Sequence, residues 1–340
     1  MEQLNSTMSS LSNANLITTI NYATLQIIRY FSIFIFLFGS IGNILNVLVL
    51  SQSSFRSNPC AILFLFSSVM NFIAILSGLL SRILSGWGAD LTATNRSFCK
   101  LRGFVVNIAR PVAIWYILFA IIDRWLLSSP KLRRRQMSSL KNAKLAMIIS
   151  LVLATLVFSH IIYCHEPNLI NAPQKCYGIT IACRFVTDVS FMLLAILPLP
   201  LMLMFGFMTV CNIRQSRGRV ANRDTLIVSH TVTTNTNPRR RMSKQDQNLL
   251  IMLFVQIFIL VVLSVPLGFQ KLYAVIMADR TSSALQVAID NLVYNLAQLL
   301  HFLGNGMPFY IYTLAGGKVF RKALFKFFIH LRHHNFHRSR

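Results

Sequence analysis

Apolar runs of about 20 residues, free of charged side chains, recur along the whole chain. A helix needs about 20 mostly apolar residues to cross the hydrocarbon core of a bilayer. Six such runs are Tyr30–Leu50, Ser57–Ser81, Leu145–Cys164, Val189–Ile213, Gln247–Gln270 and Asn291–Gly317. A seventh, Gly103–Ile122, is interrupted only by Arg110. The sequence therefore predicts an all-α membrane protein, a bundle of seven transmembrane helices formed by residues 29–315.

The low charge content excludes most other classes of protein. Charged residues make up 12% of the chain and hydrophobic residues 54%, whereas soluble domains carry about 25% charged residues. A soluble globular protein, a disordered scaffold and a collagen-like fibre are therefore excluded. The six cysteines are too few for a disulfide scaffold, and we expect neither a metal site nor a cofactor. We also expect the first apolar run to serve as signal and anchor together.

The distribution of positive charge predicts the orientation in the membrane. The net charge is +24, and 23 of the 33 Lys and Arg residues fall in alternate segments between the runs. These segments are Arg56, residues 124–144, residues 214–244 and the tail 316–340. Because cytoplasmic loops are rich in Lys and Arg, the C-terminus is predicted to be cytoplasmic and the segment 1–28 extracellular. Glycosylation sequons at Asn5 and Asn95 then lie outside, and we expect a multi-pass protein of the plasma membrane.

The third run along the chain lies between two informative motifs. Cys99 precedes it, and Asp123-Arg124-Trp125 follows it. The 25 residues from Cys99 to Arg124 would span ~37 Å as a helix, enough to reach from the outer surface to the cytoplasmic edge. This pattern resembles the rhodopsin-like G-protein-coupled receptors, whose third helix runs from a disulfide-bonded cysteine to a D/E-R-Y/W motif.

Other parts of the chain match the same family in the same order. Gly42-Asn43 is similar to the family's G-N-x-x-V region, and Pro266 stands where the sixth helix of such receptors kinks. Pro308, within Met307-Pro308-Phe309-Tyr310-Ile311-Tyr312, resembles a degraded N-P-x-x-Y motif. Residues 318–328 predict a short amphipathic eighth helix at the membrane surface. The resemblance covers residues 30–328.

Two departures mark a divergent member of that family. Asn71 replaces the acidic residue expected in the second span, and Leu263-Ser264-Val265-Pro266 replaces C-W-x-P. Because amides in hydrocarbon bind one another or water, those in the spans are expected to meet inside the bundle, either as contacts between helices or in signalling. This interior polar network is expected to consist of Asn43, Asn71 and Asn305.

The resemblance implies coupling to a heterotrimeric G protein at the cytoplasmic face. In such receptors, breaking a contact between the third-helix arginine and the sixth helix lets the sixth helix swing outward. Arg124 and Asp246 are predicted to form this contact, since Asp246 lies ~30 Å along the helix from Pro266; the alternative is a surface pair that only sets topology. The residues assigned to coupling are Asp123, Arg124, Trp125, Asp246, Pro266, Pro308, Tyr310 and Tyr312.

The resemblance also implies a disulfide from Cys99 to the second outer loop. Cys176 is the preferred partner, because it leaves enough chain to reach the fifth helix, and Cys183 is the alternative. Cys164 is expected to pair with Cys183 if that residue is left over.

Arg110 is the strongest candidate for ligand contact. It lies 14 residues before Arg124, which is ~21 Å toward the outside and at the depth where such receptors bind ligands. A buried cation suits an acidic group, such as a peptide C-terminus; the alternative is neutralisation by Asp188 or Asp290. The full set of expected ligand contacts is Arg110, Gln270, Lys271, Tyr273, Tyr294, Gln298 and His301, of which all but the first could equally be ordinary packing.

Together these features predict a receptor for an extracellular ligand, preferably a neuropeptide. A small-molecule chemosensory receptor of the same fold is the alternative. A transporter or channel is a further alternative, but it would need charges in several spans, and only Arg110 is expected inside one. Paired catalytic acids and metal-binding His motifs are missing from the sequence, so an enzyme is not expected. The run Arg239-Arg240-Arg241 is expected to contact anionic lipid and the G protein rather than nucleic acid.

Overall fold

The chain is almost entirely helical in the part that the structure describes. The computed structural model describes the backbone of residues 2–169, 175–227, 244–277, 283–315, 320–325 and 329, and the side chains of residues 12–169, 175–215, 251–277, 283–314, 320–325 and 329. The helices are α1 (Glu2–Leu50), α2 (Ser53–Arg56), α3 (Pro59–Gly86), α4 (Leu91–Thr94), α5 (Arg96–Ser128), α6 (Leu132–Gln136), α7 (Leu140–Phe158), α8 (Ile161–Cys164), α9 (Ile181–Phe191), α10 (Pro198–Ile227), α11 (Lys244–Ile276), α12 (Ala284–Gly306) and α13 (Pro308–Ala315). Two short strands, β1 (His165–Glu166) and β2 (Tyr177–Gly178), pair antiparallel between α8 and α9.

Six helical segments of the described residues are long and apolar enough to cross a membrane. They are Ser12–Leu50, Pro59–Gly86, Arg96–Ser128, Leu140–Cys164, Ile181–Gln215 and Ile251–Ile276. Each of them contains most of one predicted run. The protein is therefore an all-α, multi-pass membrane protein.

The seventh predicted run, Asn291–Gly317, falls on α12 and α13, and neither helix is among the six. Helix α12 carries five amide side chains together with Asp290 and His301, which lowers its hydropathy. It packs against α1, α3 and α11, so its polar side chains face other helices. The break between α12 and α13 comes at Met307, directly before Pro308, whose missing N–H cannot continue a helical hydrogen-bond ladder.

Helix α1 is longer than the run that predicts it. The run begins at Tyr30 because Arg29 precedes it, but the apolar helical segment begins at Ser12. The Arg29 Nε donates to the carbonyl oxygen of Gly86 (2.5 Å), and its Cζ lies 5.0 Å from the centre of the Trp87 ring. The end of α3 thus accommodates the charge, and the helix continues through it.

Helix α5 lies at the centre of the bundle and α7 at its margin. Helix α5 packs against α3, α7 and α10, and its Ile117 shares a core with Phe64 of α3 and Phe158 of α7. By contrast, α7 exposes Ile148 and Leu156, which are 61% and 64% accessible. Exposed apolar side chains on a membrane helix are satisfied by lipid tails, so α7 presents this face to the bilayer.

Two disulfides hold the β1–β2 hairpin over one end of the bundle. Cys99, in the first turn of α5, is bonded to Cys176 beside β2, so Cys176 and not Cys183 is its partner. Cys164, directly before β1, is bonded to Cys183 in α9. The disulfide between Cys164 and Cys183, which was expected if Cys183 did not pair with Cys99, is therefore present as well. Both strands are anchored to helices, which fixes the hairpin against α5.

Prolines lie inside α5 and α11 and at the start of α10. Pro266 lies inside α11, as predicted, and Pro111 lies inside α5 next to Arg110. A π-helical turn, Met192–Ile196, separates α9 from α10, which begins at Pro198. Such turns occur often at functional sites, and here the turn lies one residue beyond Phe191, a residue of the cavity described below.

Gly306 brings the backbones of α12 and α1 into direct contact. A Cβ atom added at Gly306 would lie 2.9 Å from Gly39 Cα, so a backbone would have to shift. We expect Gly306→Ala to destabilise the protein by about 1–3 kcal/mol, measured as a lower melting temperature of the purified protein in nanodiscs. Gly304→Ala is the matched control, because it also replaces a glycine of α12 by alanine. Its added Cβ would lie 3.5 Å from the nearest atom, which is an ordinary contact. Equal melting temperatures for the two variants would contradict this packing.

Candidate functional site

A cavity lies under the β1–β2 hairpin, among α3, α5, α9, α11 and α12. Its volume is about 60 Å³, and four cationic side chains line it: Arg82, Arg102, Arg110 and Lys271. A cavity of this size has room for a small chemical group. Its charge favours an anionic group.

Arg110 is buried in this cavity, 4% exposed. Its Cζ atom lies over the Phe302 ring at 4.6 Å and over the Phe191 ring at 5.1 Å, distances at which aromatic rings attract a cation. Its Nε and Nη2 atoms have no hydrogen-bond partner among the described residues. Neither Asp188 nor Asp290, the two acids expected as alternatives to neutralise Arg110, forms a salt bridge with it among the described side chains.

Asp188 is bound to Lys271 instead. The Lys271 Nζ lies 2.5 Å from Asp188 Oδ1, with both side chains buried. Tyr177 of the hairpin joins them, since its hydroxyl donates to Asp188 Oδ1 (3.0 Å) and accepts from Lys271 Nζ (3.0 Å). Burial raises the pKa of the Tyr177 phenol, so it keeps its proton and donates. The triad connects the hairpin to α9 and α11.

Arg82 adds a second cation to the cavity wall. Its Nη1 donates to Asn295 Oδ1 of α12 (2.7 Å), and its side chain is buried. The expectation that Arg110 is the only charge inside the bundle is therefore wrong, because Arg82, Asp188 and Lys271 are buried too. Arg82 and Lys271 each end a charge-free run in the sequence, but α3 and α11 continue past them to Gly86 and Ile276.

His165 closes the cavity from the hairpin side. It is buried, and it packs so closely on Gly103 of α5 that a Cβ added there would lie 2.5 Å from His165 Nδ1. Burial, helped by the positive charges of Arg102 and Lys271, lowers the pKa of His165 to about 4. The imidazole is therefore neutral at physiological pH and adds no positive charge.

The cavity includes four of the seven expected ligand contacts. Arg110, Lys271, Tyr294 and Gln298 line it, whereas Gln270, Tyr273 and His301 do not. The Tyr273 hydroxyl is engaged with Gln286 and Asp290, and His301 Nδ1 lies 3.0 Å from the Ser264 hydroxyl. The lining residues that were not expected include Arg82, Arg102 and Tyr177. The two arginines could have been predicted as cavity residues, because each lies directly beside the end of a predicted apolar run. Nothing in the sequence singles out Tyr177.

The other end of α5 holds a second buried arginine. Arg124 Nη2 donates to Asp123 Oδ2 and to Asn58 Oδ1, both at 2.9 Å. Asp123 also accepts from the Ser138 hydroxyl (2.6 Å). The side chain of Asp246 lies outside the described residues, so the Arg124–Asp246 pair stays a prediction. These contacts join α5 to the start of α3 and to the segment before α7.

Trp125 packs on the side of α5 next to this arginine. Its ring lies 5.2 Å from the Phe205 ring of α10, edge to face, and the guanidinium of Arg134 lies 5.2 Å from its centre. The third residue of the Asp123-Arg124-Trp125 motif thus joins α5 to α10 and α6.

The two tyrosines of α13 bind other helices. Tyr312 is fully buried and donates to Gln256 Oε1 of α11 (2.6 Å). Tyr310 donates to the carbonyl oxygen of Phe38 in α1 (3.0 Å) and stacks on its ring. Helix α13, which begins at Pro308, is thereby bound to α1 and α11.

The three interior asparagines are buried, but only two of them meet. Asn43 Nδ2 donates to the backbone oxygen of Asn305 (3.1 Å) and to that of Gly39. Asn71 is buried in α3 without a hydrogen bond to either among the described residues. A separate amide, Asn46, reaches α3 through the Ser68 hydroxyl (3.1 Å).

The remaining predicted features lie at the edges of the described chain. Residues 320–325 are helical, and Phe320 is buried against Phe309 and Tyr312. Asn95 is exposed and caps α5 by accepting from the backbone of Ser97. The side chain of Asn5 and residues 239–241 lie outside the described residues.

The sequence was also compared with known proteins. No protein-family model matches it, and no curated protein matches it.

Proposed function

We propose that the chain is a divergent rhodopsin-like G-protein-coupled receptor, which binds an extracellular ligand and activates a heterotrimeric G protein. The observation that carries this proposal is the pair of buried arginines on α5. Arg110 lines a cationic cavity, and Arg124 is buried at the opposite end beside Asp123. The two lie 14 residues apart, ~21 Å along the helix. One central helix can therefore couple a ligand group to the other side of the bundle.

The proposed topology has seven spans, with α12 and α13 as the seventh and residues 320–325 in an eighth helix. The two disulfides support an extracellular hairpin and N-terminus at the plasma membrane, because disulfides persist outside the cytosol. The exposed Arg321 and Lys322 of the eighth helix suit contact with anionic lipid at the cytoplasmic face.

The cavity supports a ligand that carries an acidic group. Arg110 offers two unpartnered donors among the described residues. Asp188, one of the two acids expected as alternatives to neutralise it, is bound to Lys271. A neuropeptide is the preferred ligand, with one end inserted, since the cavity is small. A small-molecule chemosensory receptor is the second candidate.

The buried charges on four helices give the transporter alternative one argument that the sequence did not provide. However, Arg82, Arg110 and Lys271 all line a single cavity. A transport path needs polar groups at successive depths. The gathering of these three cations in one cavity favours a receptor.

A screen in cells tests the receptor proposal. The full chain is expressed with a promiscuous Gα subunit, and peptide pools are scored for nucleotide exchange. We expect at least one pool to trigger exchange in wild-type cells, with a strongly reduced response in Arg110→Ala. Uptake of labelled pools into the same cells, without any exchange, would support the transporter instead.

A further inference from the structure

Arg110 has one open edge on its guanidinium group. Its Nε and Nη2 atoms lie on the same edge of this planar group, and both are buried without a partner among the described residues. Two parallel N–H donors on one edge match the two oxygens of a carboxylate, which they bind in a bidentate manner. The open edge therefore selects a group with two coplanar acceptors.

The rings around Arg110 disfavour bulkier anions. The guanidinium carbon lies within 5.1 Å of the Phe191 ring and 4.6 Å of the Phe302 ring. The faces of aromatic rings carry partial negative charge, which attracts the guanidinium and repels an anion. Phosphate and sulfate have charged oxygens outside the plane of a bidentate contact, and these would meet this crowded surface. A carboxylate has both oxygens in the plane.

Gln298 offers a hydrogen-bond acceptor in the same cavity. Its Nε2 donates to the Tyr294 hydroxyl (3.1 Å), and its Oε1 is buried without a partner among the described residues. A buried acceptor that lacks a donor costs about 1–3 kcal/mol. A carboxylate alone cannot satisfy Oε1, whereas a neighbouring N–H group can.

We propose that the cavity binds an α-carboxylate flanked by an N–H group. Arg110 holds the carboxylate, and Gln298 accepts a hydrogen bond from the N–H. This chemistry is shared by the free C-terminus of a peptide and by an N-acylated amino acid. The cavity volume of about 60 Å³ fits such an end group and not a whole peptide. The claim that this group belongs to the receptor's ligand rests on the proposed function. The claim that the cavity binds it does not.

The test measures binding without a G protein. The full chain is purified in nanodiscs of neutral lipid, and its melting temperature is recorded against probe concentration, since a ligand that binds only the folded state raises it. The probes are tetrapeptide pools sorted by C-terminal residue, the same pools with amidated C-termini, N-acetyl amino acids, and inorganic phosphate. We expect a free-acid pool or an N-acetyl amino acid to stabilise the protein, with amidated counterparts about tenfold weaker or more. The acid probe that raises the melting temperature shows whether the site takes a peptide C-terminus or an N-acylated amino acid.

Variants assign the two contacts. Arg110→Lys keeps the charge but loses the bidentate edge, so we expect about ten- to hundredfold weaker binding of the acid probe. Gln298→Leu should weaken the N-acetyl amino acid but not the matching acid that lacks the N–H, such as 3-phenylpropanoate beside N-acetylphenylalanine. Arg96→Lys is the matched control, because Arg96 is exposed and outside the cavity, and it should bind like the wild type.

The comparison of acid with amide uses the wild-type protein and does not depend on how the variants fold. Equal stabilisation by amidated pools, stronger stabilisation by phosphate, or no response to any acid probe by a cooperatively melting protein would each overturn the site. Stabilisation without nucleotide exchange in cells would support the site and contradict the receptor. Nucleotide exchange driven by amidated pools alone would support the receptor and contradict the carboxylate site.

Discussion

Asp188→Asn should lower the free energy of unfolding by about 3–5 kcal/mol, because it leaves the Lys271 ammonium buried without its counter-charge. The two side chains lie 2.5 Å apart and are almost inaccessible to solvent. The measurement is thermal melting of the purified chain in nanodiscs. The double variant Asp188→Asn/Lys271→Met should recover most of the loss, since it removes the buried ammonium together with its counter-charge.

Glu166→Gln is the matched control for this prediction. Glu166 also forms ion pairs, with Arg96, which is 68% exposed, and more loosely with Lys100 at 3.4 Å. Ion pairs open to solvent contribute about 0–1 kcal/mol. A similar melting temperature for Asp188→Asn and Glu166→Gln would show that the buried pair does not stabilise the fold as described.

Arg124→Ala should abolish ligand-driven nucleotide exchange while surface expression is kept. Arg124 is buried between Asp123 and Asn58, and under the proposed function it is the group that couples the bundle to the G protein. The measurement is exchange on a co-expressed Gα subunit, normalised to receptor at the cell surface.

Two further variants sharpen that result. Arg124→Lys keeps the charge without the fork that reaches two oxygens at once, so it should signal weakly. Arg56→Ala removes an exposed arginine that contacts only the backbone oxygen of Ser51 among the described hydrogen bonds, and it should signal normally. Full signalling by Arg124→Ala would contradict the mechanism.

The sequence predicts the helices well because the bilayer sets their minimum length. Six of the seven predicted runs fall on helical segments of the described chain that are long and apolar enough to cross a membrane. Arg110 is buried, as its isolation in an apolar run predicts. The run ends are less accurate, since a charged residue ends a run but not a helix. Arg29 and Lys271 both lie inside longer helices, where Gly86 and Asp188 accept their donors.

Contacts across the cavity could not be predicted, because they depend on how each helix is rotated about its axis. Asp188 was a plausible partner for Arg110, yet it faces Lys271 of α11. Tyr177 lies in a loop with no periodic pattern, so its entry into the cavity follows only from the anchoring of the hairpin by Cys176. The family resemblance implied a disulfide from Cys99 to the second outer loop but left Cys176 and Cys183 as candidates, and the structure pairs Cys99 with Cys176.

The length of α1 sets how far from the bilayer a sugar chain on Asn5 would stand. Arg29 marks the level at which α3 ends, and residue 5 lies ~36 Å further along the helix axis. In the proposed orientation, an oligosaccharide on Asn5 would stand well above the bilayer, clear of the cavity mouth. One on Asn95, at the first turn of α5, would stand beside the hairpin and narrow the approach for an incoming ligand.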